Sequence, residues 1–243
     1  TVTAGEWANI SLLALDQYGN EAGRGDFVLA MMASGSATVP NNGLTVMENG
    51  VATSTMRSFV AEVVVLTVGD TSNTLTRSRN ATVSVEAASA VAFGFESTRV
   101  SATVDDPAMV VVNALDEYGN VDTNFEQDVS VNSTQGRALV SITMGTGRAS
   151  LSSTVVQAIS LNLIDSEGTG LMSHSLLGVC DVRFAAGVAE NLEVLPGGGS
   201  VDGPVIVGVQ ATDQYGNPTQ QGLGSRRVRR RLTDDDDQMS IQV

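Results

Sequence analysis

One seven-residue stretch occurs three times in this chain. Ala14–Asn20 reads Ala-Leu-Asp-Gln-Tyr-Gly-Asn, Ala114–Asn120 reads Ala-Leu-Asp-Glu-Tyr-Gly-Asn, and Ala211–Asn217 reads Ala-Thr-Asp-Gln-Tyr-Gly-Asn. The three tyrosines in these stretches are all the chain has, and they stand 100 and then 97 residues apart. A period of that size is one small β-sandwich. A chain of 243 residues therefore divides into two to three such domains rather than one large core.

The residues before each aspartate read as a strand. Ile10, Leu12 and Ala14 are apolar, as are Val110, Val112 and Ala114, and Val207, Val209 and Ala211, while the intervening positions are mixed. Period two with one consistently apolar side means that one face lies on a core. Asp then suits the first position of a turn, because its carboxylate accepts backbone N–H groups within it. Glycine three residues on adopts positive φ and closes a bulged hairpin. Asp16, Tyr18, Gly19 and Asn20, Asp116, Tyr118, Gly119 and Asn120, and Asp213, Tyr215, Gly216 and Asn217 are thus expected to be structural turns at one end of each sandwich. The alternative is that Asp16, Asp116 and Asp213 bind calcium at a domain junction, although Ca²⁺ takes 6–8 oxygen ligands and the motif guarantees few.

The rest of the chain repeats with the turn. Thr1–Asn20 aligns without gaps on Ser101–Asn120, with eight identities in twenty. The second copy is preceded by Ala88–Val100, which holds the strand-like Val91–Phe95; the first has no counterpart. This predicts a repeat over 1–87 that lacks its opening strand, a complete repeat over 88–187, and a partial one over 188–243, in a fragment of a longer protein. Phe27–Met32 and Val60–Val68 read as strands, the latter followed by a turn at Gly69-Asp70. Asn41-Asn42-Gly43 and Glu48-Asn49-Gly50 are further turn signals. Ala81–Val85 closes the first repeat, and Val155–Ile164 aligns with Phe59–Val68. Many short strands with turn signals every 8–12 residues predict an all-β protein, and Val, Thr, Ser and Gly in place of helical periodicity agree.

Chemistry-bearing residues are sparse. A net charge of −14 argues against nucleic acid as a partner. Every basic residue is arginine, and five of them lie in Arg226–Arg231, just ahead of Asp234–Asp237. That tail reads as a solvated charged end, as a basic-site protease target, or as a patch for an anionic surface. One cysteine, Cys180, excludes an internal disulfide and a cysteine-based zinc site, and the single His174 cannot build a histidine cluster or a Ser/His/Asp set. No phosphate-binding glycine loop opens a helix, so no enzyme activity and no cofactor beyond calcium is expected. The longest apolar run, Val60–Val68, is too short to span a membrane and contains Glu62. Arg24-Gly25-Asp26 is the integrin-binding tripeptide or a plain turn. Asn9, Asn80 and Asn132 open N-glycosylation sequons, and Asn80 and Asn132 lie in turn-like surroundings.

Ala-x-Asp-x-Tyr-Gly-Asn at the end of a strand, repeating near 100 residues, resembles the bacterial Ig-like repeats of the invasin/intimin type. The resemblance covers most of residues 1–220 and rests on the turn motif. It implies tandem Ig-like β-sandwich domains in an extracellular or cell-surface array, a spacer or stalk whose partners are adjacent repeats in the same chain and a receptor met through other domains. No antibody-type cysteine pair is present, and Trp7 occurs in one copy only. Two other readings stand beside this one: a carbohydrate- or calcium-binding accessory module of a secreted enzyme, and an intracellular cross-linker built from similar sandwiches.

Overall fold

The computed structural model describes residues 1–23, 26–72, 80–165, 167–195, 197 and 208–219. Arg24 and Gly25 of the tripeptide, Val207, and the arginine- and aspartate-rich tail lie outside the described residues. In chain order the strands begin with β1 (Val2–Thr3), β2 (Ala8–Leu13), β3 (Phe27–Ala33), β4 (Leu44–Met47), β5 (Val51–Met56), β6 (Val63–Asp70) and β7 (Ala81–Glu86). There follow β8 (Ala92–Phe95), β9 (Arg99–Thr103), β10 (Ala108–Leu115), β11 (Val129–Ser133), β12 (Gly136–Val140), β13 (Ile142–Thr143) and β14 (Thr146–Leu151). The last are β15 (Gln157–Ile164), β16 (Met172–Ser173), β17 (Val179–Ala185), β18 (Asn191–Leu195) and β19 (Gly208–Thr212). The one helical piece among the described residues is a 3-10 turn, Pro40–Gly43. The architecture is all-β.

The chain forms two compact units. The first comprises Thr1–Thr98, Val110–Ala149 and Ser160–Cys180. Within it a five-stranded sheet of order β1-β7-β6-β3-β4 faces the pair β2-β5. Met56 of β5 meets Met31, Val64, Leu66 and Val85 of the larger sheet in one core, and Ala14 and Ala52 meet Leu29 and Met47 in a second. Fully burying side chains of this size stabilises by about 1.5–3 kcal/mol each. In the same unit β10 runs antiparallel to β8, with Val112 opposite Phe95 and Leu115 opposite Ala92, in the order β13-β14-β10-β8-β16. β11 pairs antiparallel with both β12 and β15.

The second unit comprises Arg99–Met109, Ser150–Ile159 and the described residues from Asp181 onward. Here β17 runs parallel to β9, placing Phe184 opposite Ala102, as Val85 of β7 lies opposite Val2 of β1 in the first unit. β18 and β19 form an antiparallel pair. In that two-stranded sheet Val209 keeps an exposed side chain, although its alternation places it on an apolar face.

Several local expectations shift. β6 starts at Val63 rather than Val60, because Phe59–Ala61 is a loop with its side chains exposed. Gly69 and Asp70 lie inside β6, paired with Ala30 and Leu29, and the chain turns only at Thr71. β12 ends at Val140, and Ile142 pairs with Gly147 of β14 instead. Asn132 does not stand in a turn. It is paired with Arg137 on one side and Asn162 on the other, half-buried in mid-sheet, whereas Asn80 is exposed just ahead of β7. The alignment of the two long strands also moves by one residue. Buried Val64 and Leu66 correspond to buried Ile159 and Leu161, so Phe59 matches Thr154 rather than Val155. Asn41, Asn42 and Asn49 do turn the chain, with φ of 53°, 54° and 51°.

Candidate functional site

Each repeated stretch is the same turn. The aspartate N–H donates to the carbonyl of the motif asparagine (2.8 Å for Asp16, 2.9 Å for Asp116, 3.0 Å for Asp213), and the glycine N–H donates back to the aspartate carbonyl. Gly19, Gly119 and Gly216 have φ of 89°, 86° and 84°. A Cβ on any of them would meet nothing, so backbone conformation and not crowding requires glycine here.

The carboxylate holds this turn together. Asp116 Oδ1 accepts from the N–H of Tyr118 (2.9 Å) and of Asn120 (2.8 Å). Its Oδ2 accepts from Asn120 Nδ2 (2.9 Å) and from the Ala88 N–H (3.0 Å) in the segment leading into β8. Asp213 repeats this within the second unit, taking Tyr215 N–H (3.0 Å) and Asn217 N–H (2.9 Å) on Oδ1, and Asn217 Nδ2 (3.0 Å) and Gly187 N–H (3.0 Å) on Oδ2. Asp116 and Asp213 are 2% and 0% exposed. Burial pushes the Asp213 pKa up, but the N–H groups of Gly187, Asn217 and Tyr215 and the Asn217 amide outweigh it and hold the carboxyl below the usual value. Four N–H donors on two oxygens occupy the in-plane lone pairs of each of these two carboxylates.

The asparagine turns this rigid piece into a clamp. Asn120 Nδ2 donates to the Phe59 carbonyl (2.9 Å), and its Oδ1 accepts from the Ala61 N–H (3.0 Å). In the second unit Asn217 Nδ2 donates to the Thr154 carbonyl (2.9 Å), and its Oδ1 accepts from the Val156 N–H (3.3 Å). Both target loops are shaped alike. Ser58 Oγ accepts from Val60 N–H (3.1 Å) and Ser153 Oγ from Val155 N–H (3.1 Å), a local bend that presents the intervening carbonyl outward. The asparagine amide, donor on one side and acceptor on the other, matches a carbonyl and an N–H two residues apart.

Around this shared clamp the two contacts differ. At the first, the Tyr118 ring lies 5.0 Å from the Phe59 ring, tilted 56°. The Arg57 guanidinium sits 4.6 Å over Phe59 and 4.5 Å over Trp7. Gly5, at φ 83°, leaves room that Tyr118 fills: a Cβ there would run into its ring. The Tyr118 phenol is pushed above its ordinary pKa by its hydrogen bond with Glu117, with burial and the Glu117 charge adding to it. At the second contact Asp105 stands where the first has Gly5. It accepts from Val188 N–H (2.8 Å) and Gln214 Nε2 (2.9 Å).

The first copy is the same turn, with no target loop among the described residues. Asp16 Oδ1 accepts from Tyr18 and Asn20 N–H (2.8 and 2.9 Å), Oδ2 from Asn20 Nδ2 (3.1 Å), and all five residues Asp16–Asn20 are exposed. The Asn20 amide and its backbone N–H hold the Asp16 carboxyl below its usual pKa.

The turn residues were readable from the repeat. Ser58, Ser153, Ala88 and Gly187 were not, although Ser-x-Val at 58–60 and 153–155 is itself a repeated signal. His174 is used locally, its Nδ1 facing the N–H groups of Leu176 and Leu177 at 3.2 Å. Cys180 is fully buried in β17. Among the described residues no three His, Cys, Asp or Glu side chains gather as a metal ion needs, and no helix is long and apolar enough to cross a membrane.

No protein-family model matches the chain, and no curated protein matches it. Among solved structures it is similar to invasin, a bacterial integrin-binding protein, at 14% identity over 90% of this chain and 49% of that one, with a TM-score of 0.39. It is similar to Yersinia pseudotuberculosis InvD at 18% identity over 89% of this chain and 69% of that one (TM-score 0.43). The Escherichia coli adhesin FdeC is similar at 16% identity over 90% and 73% (TM-score 0.42). The chain thus spans about half the length of the invasin structure.

Proposed function

We propose that this chain is a non-catalytic stretch of an extracellular repeat array, serving as a spacer or stalk in a larger cell-surface protein of the adhesive kind. Its repeats would run over 1–87, 88–187 and 188–243, with adjacent repeats as the immediate partners and any receptor engaged by other domains. The observation that carries this reading is the clamp, made in the same way by Asn120 on Phe59 and Ala61 and by Asn217 on Thr154 and Val156. A flexible linker leaves neighbouring domains free to swing. Here the linker N–H groups of Ala88 and Gly187 are tied to the same carboxylates that orient the clamps, so linker and loop are fixed together. That is what a stiff spacer requires, and it places no reactive group at the contact.

Small-angle scattering tests the mechanical part. The Asn120→Ala/Asn217→Ala double variant should have a broader distribution of interatomic distances than the parent chain at equal helix-free circular dichroism. Identical profiles would remove the clamp as the source of stiffness. A glycan array tests the class: specific sugar binding by the whole chain would move it to the accessory modules of secreted enzymes.

A further inference from the structure

The two clamps hold their loops with the same bonds, yet the first is surrounded by side chains that the second does without. The gapless alignment sets Trp7 on Pro107, and the matched strands β6 and β15 set Arg57 on Ser152 and Phe59 on Thr154. Only the tyrosine is common to both, as Tyr118 and Tyr215. Closing the clamp therefore requires neither the tryptophan, nor the arginine, nor the phenylalanine.

Together these side chains make a fixed cation with an apolar rim. Arg57 follows β5 directly, and its backbone exchanges two hydrogen bonds with Thr38, at 3.0 and 2.8 Å. Its guanidinium lies over the Trp7 and Phe59 rings, which restrain its plane. Its Nε is buried and has no hydrogen-bond partner. Among the described residues no carboxylate pairs with it, in a chain whose 27 acids face 13 arginines. The rim is open to solvent: Trp7 is 49% exposed, Phe59 42% and Tyr118 39%, with Val60 exposed beside them. Aromatic residues are 4% of the chain, so three of them around one arginine concentrate the side-chain types that dominate protein interfaces.

We propose that Arg57, Trp7 and Phe59 form a docking site for a segment of a partner protein that carries one carboxylate beside an apolar side chain. The terminal nitrogens of a guanidinium take a carboxylate in two parallel hydrogen bonds, and flanking rings both strengthen that pair by excluding water and cover the apolar neighbour. The ligand carries a single negative charge. Glu6 adjoins Trp7, and Glu117 adjoins Tyr118 and is hydrogen-bonded to its phenol, so a polyanion would meet both carboxylates and the −14 of the chain. The site gives this stretch a partner of its own and does not depend on the mechanical role of the clamp.

The test titrates the full chain with N-acetylphenylalanine, which joins one carboxylate to one ring, and with its neutral amide. NMR follows the Trp7 indole N–H and the Arg57 Nε–H. The acid should shift both signals saturably and bind at least about tenfold more tightly than either the amide or inorganic sulfate. Arg57→Lys keeps the charge without the fork and should weaken the acid at least about tenfold, with the Ala61 amide signal unmoved as the sign that loop and fold are intact. The absence of a saturable shift, equal binding of acid and amide, or equal binding of acid and sulfate would overturn the proposal, and these three comparisons need only the parent chain. Undiminished binding of the acid by Arg57→Lys would overturn it as well.

Discussion

Replacing Asn120 with alanine removes three hydrogen bonds at once. The bond from Nδ2 to the buried Asp116 carboxylate is charge-assisted, and its loss is worth about 1.5–3 kcal/mol. The bonds to the Phe59 carbonyl and from the Ala61 N–H join exposed backbone that water can solvate, so each counts about 0.5 kcal/mol, the low end of the range. The sum is about 3 kcal/mol. Asn20→Ala is the same chemical change at a solvated turn with no target loop among the described residues, where its exposed bonding to the Asp16 carboxylate is lost, about 0.5–1 kcal/mol. Urea denaturation of the two variants should therefore differ by about 2 kcal/mol, with faster exchange at the Ala61 amide in Asn120→Ala alone. Asn120→Asp should be worse than alanine, because it loses the donor and sets a second carboxylate against Asp116. Equal losses for Asn20→Ala and Asn120→Ala would refute the reasoning, since the motif would then act only within its own turn.

Gly5→Ala should destabilise by about 2–4 kcal/mol, from the φ of 83° and overlap with the Tyr118 ring, against about 1 kcal/mol for Gly19→Ala, whose Cβ meets nothing; thermal melts rank the two. Asp16 and Asp213 have folded pKa values below the ordinary 3.8, so the stability they supply is complete above that value and is lost as pH falls through the folded values. Urea midpoints should thus be flat from about pH 7 to pH 5 and drop below about pH 4, with a shallower drop in Asp213→Asn. Arg57→Ala removes the cation from the Trp7 face, the one tryptophan of the chain, and should shift its emission while costing about 0.5–1 kcal/mol. Cys180, fully buried, should react with a thiol reagent at the rate of unfolding of its strand, and fast labelling of the native protein would contradict its placement.

What the sequence made legible was what is local. Asp, Gly and Asn at fixed spacing define a turn through their own backbone, and the residue before each Asp ends a strand whose alternation is plain. The clamp was hidden because its two halves lie about sixty residues apart and share only Ser-x-Val on the receiving side. The alignment of β6 with β15 slipped by one because the run Phe59–Val68 is apolar on both faces. Period two then carries no phase, and burial of Val64 with Ile159 decides it. Phe59 and Val60 read as strand for the same reason, though their place is the loop that Asn120 holds.

The clamp also has a direction in time. Asn120 reaches back to Phe59 and Asn217 to Thr154, each across more than sixty residues already synthesised. During translation the receiving loop can form with its own sandwich, and the contact closes only when the next turn has emerged and its aspartate has captured the linker. Each newly emerged turn would therefore fasten to a loop made before it, and a stall would leave the last loop unfastened while the contact upstream stays closed.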